Sequence, residues 1–122
     1  MAFTAVAGRF ADAPVVNLGF SGNGKMEAAL ADLVAEIDAS VYVLDCLWNM
    51  SDALVQERAE PFIRALRQKR PDTPILLAED CNAFGQAPTP KSRILRGLYD
   101  RLKAEDAARW RHLHYLEAKE ML

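Results

Sequence analysis

The chain has 122 residues, 51% hydrophobic and 26% charged, enough for one domain to bury a single core without metals or disulfides. Its 15 basic and 17 acidic residues nearly cancel to a formal −2, which gives no electrostatic case for nucleic acid. No apolar stretch approaches the ~18 residues of a membrane-spanning helix, and the start, "MAFTAVAGRF", lacks the basic and long apolar regions of a secretory signal, so a cytoplasmic setting is expected.

Residues 3–10 are weakly helical. "APVVNLGF" (13–20) reads as a strand entering a glycine-rich turn. From 25 to 38, Met26, Ala29, Leu30, Leu33, Val34 and Ile37 recur at three- and four-residue spacing, the pattern of an amphipathic helix. "SVYVLDCLW" (40–48) is almost wholly apolar, as a buried parallel strand should be. A second helix falls within 53–70, with Pro61 placed in the first turn of its main body and cations at its end. "PDTP" is a turn, and "ILLAED" (75–80) is a strand ending in two carboxylates, Glu79 and Asp80, for which solvated, helix-capping or ion-paired roles are expected rather than catalysis. The loop "CNAFGQAPTP" leads to a third helix over 91–108, and "HLHYLEA" (112–118) closes as a strand.

This alternation predicts an α/β sandwich around a parallel sheet with right-handed crossovers. Function in such folds lies at the carboxyl ends of the strands, here 17–24, 45–52 and 79–85. Cys46 and Cys81 show neither CxxC nor metal spacing and read as buried free thiols. His112 and His114 alternate onto one strand face, where a metal pair would need carboxylate help; no metal is expected.

The turn "LGFSGNGKM" (18–26) admits three readings. As Gly19-x4-Gly24-Lys25 it approaches a nucleotide-binding phosphate loop, but Met26 stands where a Ser or Thr would ligate Mg²⁺. As Gly19-Phe20-Ser21-Gly22-Asn23 it approaches a nucleophile elbow, but Asn23 stands where the last glycine belongs, and no histidine is placed to serve Ser21. The third reading is a backbone cradle at a helix start, with the side-chain NH₂ of Asn49 aimed at the same point from the end of the next strand. Two such donors make an oxyanion hole.

"VVNLGFSGNGKM", "DASVYVLDCLWNM" and "PDTPILLAED" together resemble the SGNH (GDSL-like) hydrolases, in a bacterial branch carrying "NLGFSGNG", over residues 5–120. The resemblance implies a three-layer, flavodoxin-like sandwich and a serine ester hydrolase acting on small-molecule esters with no cofactor. It maps a backbone N–H donor onto Gly22 and a side-chain donor onto Asn49, leaves Ser21 a bystander, and lets Asn23 or Asp52 line the acyl pocket. The family's serine block and its C-terminal Asp-x-x-His block have no counterpart in these 122 residues. His112 and His114 fall in the strand before the latter and inherit no role. The chain is therefore expected to lack the first strand, to be truncated and inactive alone, and to expose apolar strand edges through which it self-associates. The alternative is a non-catalytic α/β binding or assembly module.

Overall fold

A computed structural model describes residues 3–80 and 88–121. The elements in chain order are α1 (Phe3–Ala11), α2 (Ala28–Ala35), β1 (Tyr42–Leu44), α3 (Asp52–Lys69), β2 (Ile75–Ala78), α4 (Pro90–Glu105) and β3 (Leu113–Leu116), with 3₁₀ turns at Phe20–Gly22, Leu47–Asn49 and Ala118–Glu120. The strands form one parallel sheet in the order β1-β2-β3. Because the order runs one way and crossovers are right-handed, α3 and α4 lie on the same face of the sheet.

The burial pattern agrees. Tyr42, Ile75 and Leu113 stand in register, as do Leu44 and Leu77, and all five are buried. They join Val55, Phe62, Ile63, Leu66, Leu95 and Leu102 in one core. The opposite face carries the register row Val43, Leu76 and His114, of which Val43 is 50% exposed and His114 is exposed. Within β1 the Tyr42 N–H donates to the Pro74 carbonyl. Successive residues of a strand alternate direction, so the N–H and C=O of Val43 point outward along the sheet's free edge.

The α/β class and the parallel sheet are as the sequence predicts, and three expectations need correction. Residues 13–19 form no strand: they are irregular and exposed, Val16 at 62%. An apolar run becomes a strand only where another strand pairs its backbone, and this one is tied only locally, by Ala13 N–H to the Gly8 carbonyl and Asn17 to Thr4. Pro61 lies inside α3 rather than at a helix start. Its face is exposed, so the hydrogen bond it cannot make frees a carbonyl that points to water. The helix after the turn begins at Ala28 instead of residue 25, because Met26 holds a left-handed φ of 51° and Glu27 is extended.

At the amino ends of the strands, Arg67 is 1% exposed and ties the layers together. Its guanidinium donates to the carbonyls of Arg70, Pro71 and Thr73 beyond α3 and to that of His112 before β3. Burial pushes its pKa down, yet these oxygens and the Trp110 ring, 5.9 Å from its Cζ, provide the compensating contacts.

Candidate functional site

The site lies where the turn after residue 18 meets the loop leaving β1. Three consecutive residues of the turn hold positive φ: Phe20 (47°), Ser21 (48°) and Gly22 (87°). Only at Gly22 is that conformation free of steric cost. After β1 the chain turns at Asp45 and Cys46 into the 3₁₀ turn Leu47–Asn49, shortening the strand expected over 40–48. The Asn49 and Met50 amides close that turn onto the Cys46 and Leu47 carbonyls.

These two segments meet. Asn49 Nδ2 donates to the Gly24 carbonyl at 3.3 Å, and a Cβ added to Gly22 would lie 3.8 Å from Asn49 Oδ1. The second N–H of that amide has no acceptor among the described residues. Glycine is needed on the facing turn for its φ of 87°; a Cβ there would meet Asn49 only at ordinary van der Waals distance. The far end of the turn is pinned by α3, whose Arg58 donates to the Lys25 carbonyl and pairs with Glu27. Met26 is buried in the core and therefore cannot present itself to a phosphate.

Of the other residues singled out in the sequence, Ser21 and Asn23 are exposed on the turn, and neither side chain has a hydrogen-bond partner among the described residues. Asp52 occupies the exposed first turn of α3, after the Ser51 cap, and makes no ion pair with the turn. His112 precedes β3 at the opposite end of the sheet, and His114 sits on the open face. Neither reaches Ser21. Cys81 lies outside the described residues; Cys46 is a half-buried free thiol. Burial, with the charges of Asp45 and Glu27, pushes that thiol up to about 11. Asp45, also half-buried, has no hydrogen-bond or salt-bridge partner among the described residues, and burial raises its pKa.

Both carboxylates that end β2 are buried rather than solvated. Glu79 accepts from the Tyr115 hydroxyl at 2.7 Å and the Ala118 N–H at 2.8 Å, locking β2 to the end of β3. Asp80 Oδ1 accepts from Thr89 Oγ1 at 2.5 Å and Ser92 Oγ at 2.6 Å, while Lys91 Nζ stands 3.5 Å from Oδ2. Burial alone would raise the Asp80 pKa; the two hydroxyls and the ammonium outweigh it and hold the group below its ordinary value. Lys91 Nζ also donates to the Leu47 carbonyl at 2.7 Å. Thr89, Lys91 and Ser92 were not singled out in the sequence; Thr89-Pro90 is a legible N-cap and first helical residue, but its link to residue 47 is not.

A family model of the GDSL-like lipase/acylhydrolase family matches residues 1–122. A crystal structure from Bacteroides ovatus ATCC 8483, described as a GDSL-like lipase, superposes with a TM-score of 0.73 at 30% identity. The match covers 95% of this chain and 36% of that one, so the chain spans about a third of that relative's length. A search of curated proteins finds no match. No helix among the described residues is long and apolar enough to cross a membrane.

Proposed function

The chain belongs to the GDSL-like lipase/acylhydrolase family, and from that premise we propose that it supplies the oxyanion-binding half of a serine ester hydrolase site. In this reading the backbone N–H of Gly22 and the side-chain NH₂ of Asn49 receive the negative oxygen that develops when an acyl ester is attacked. Donors set in place before the reaction cost no reorganisation when the charge appears. The observation that carries the proposal is the approach of Gly22 to Asn49 at the carboxyl end of β1. The substrate is a small-molecule ester, the chemistry calls for no cofactor, and Asn23 and Asp52 stand as candidate pocket residues. Neither the serine block nor the Asp-x-x-His block of the family occurs in these 122 residues, so the chain by itself does not turn over esters.

Hydrolysis of p-nitrophenyl acetate tests this assignment. The chain is expected to give the background rate, unchanged by S21A. Turnover that disappears in S21A would make Ser21 the nucleophile and overturn the oxyanion reading of its turn.

A second reading, a non-catalytic module that retains the fold for assembly, is favoured by one observation: the outward backbone of Val43, with the side chains of Val41 and Val43 45% and 50% exposed, forms an open strand edge among the described residues. Self-association through that edge is compatible with either reading.

A further inference from the structure

The 3₁₀ turn that carries Asn49 hangs on a strand of three residues and needs something beyond that strand to aim its amide. The Leu47 carbonyl, at the start of the turn, accepts from the Met50 N–H at 3.1 Å and from Lys91 Nζ at 2.7 Å. Lys91 reaches it from the first turn of α4, 44 residues away in sequence. That is an unfavourable position for a cation, since the helix N-terminus carries partial positive charge. Asp80 offsets the cost. It is 6% exposed, is held by the Thr89 and Ser92 hydroxyls, and faces the ammonium across 3.5 Å. Every polar group of the cluster is paired, which is the condition under which a buried network rigidifies its surroundings.

We infer that Lys91, anchored by Asp80, is a positioning residue for Asn49: it clamps the Leu47 carbonyl and so sets the direction of the Asn49 amide. The inference rests on reading Asn49 as an oxyanion donor. The chain of contact runs from β2 through Asp80 and Lys91 to the turn after β1, so the two strand ends that frame the site are tied by one ammonium. Misplacing a catalytic group by about 1 Å can cost on the order of 10²-fold in rate, so a clamp of this kind belongs to the site's function as well as to its fold.

The test reads amide hydrogen exchange and the Asn49 side-chain NH₂ signals by ¹⁵N NMR on the whole chain, without ligand. In K91M, exchange of the Met50 amide is expected to speed by about tenfold or more, and the Asn49 NH₂ pair to move toward the positions of a solvated asparagine, while the Leu77 amide in β2 keeps its protection. K91R is expected to restore both signals. Should K91M fold poorly, D80N/K91M removes both charges, leaves no unpaired buried carboxylate, and is expected to show the same local loosening. Unchanged Asn49 signals in either variant, or a loss of protection that is uniform across β2 and the turn, would overturn the inference. Titration of the wild-type chain with methylphosphonate separates the two levels. If that anion leaves Asn49 untouched while K91M loosens it, the oxyanion reading falls and the clamp stands; if methylphosphonate shifts Asn49 and K91M does not, the clamp falls alone.

Discussion

Replacing Arg67 by methionine removes a buried charge and keeps most of the side chain's length. Nη1 serves the Arg70, Pro71 and Thr73 carbonyls at 2.9, 3.1 and 2.7 Å, and Nη2 serves His112 at 3.2 Å. The His112 carbonyl also accepts from the Ile75 N–H, so it keeps a partner in the variant. The other three share the two hydrogens of Nη1, which makes the loss about two charge-assisted bonds at about 1.5–3 kcal/mol each. Methionine still packs against Trp110. The expected loss is therefore about 3–6 kcal/mol, a large part of the about 5–15 kcal/mol that holds a domain of this kind together. At about 4 °C per kcal/mol, Tm should fall by roughly 12–24 °C. Urea unfolding followed by far-UV circular dichroism measures it, with an unchanged m-value showing that compactness is unaltered. Because Arg67 sits at the amino ends of the strands, the Asn49 NH₂ signals should not move. A loss under about 1 kcal/mol would refute the view that this guanidinium holds the crossover from α3 to the sheet.

Two further substitutions probe the carboxyl end and the open edge. Asp45 has a raised pKa and no partner among the described residues, so its ionisation weakens the fold as pH climbs from about 4, its ordinary value, through the folded value. D45N should raise Tm at pH 7, with the gain closing below about pH 4; a lower Tm at pH 7 would show that the carboxylate has a stabilising partner. Light scattering at rising concentration should show self-association of the wild-type chain and less of it in V43K, whose charge sits on the outward-facing strand residue. A wild-type chain that stays monomeric throughout would remove the edge as an interface.

The order of strands and helices was legible because parallel strands and amphipathic helices leave strong periodic signals in "YVL", "ILLA" and the apolar spacing of α3 and α4. The stretch at 13–20 misled for a physical reason: an apolar run before a glycine-rich turn reads as a strand, but a strand exists only when another chain segment satisfies its backbone. Pro61 misled because its cost depends on which face of the helix it occupies, and that face is set by packing. Asn49 was reached from the residues, as a donor at the strand end facing the glycine-rich turn, and Gly22 through the resemblance; neither route could show that the two approach each other. An ion-paired role for Asp80 was among those expected from the sequence, and Lys91 supplies the pair; the partner itself was not readable, since its decisive contact joins residues 47 and 91 through a backbone oxygen that carries no sequence signal.

The central claim is that Gly22 and Asn49 converge to receive a negative oxygen. It is tested most directly by titrating the ¹⁵N-labelled chain with methylphosphonate, a stable tetrahedral oxyanion, and following the Gly22 amide and the Asn49 side-chain NH₂. Saturable shifts of both groups with one dissociation constant, abolished in N49A, are the expected result. Shifts elsewhere with Gly22 and Asn49 unmoved, or identical binding by N49A, would contradict it.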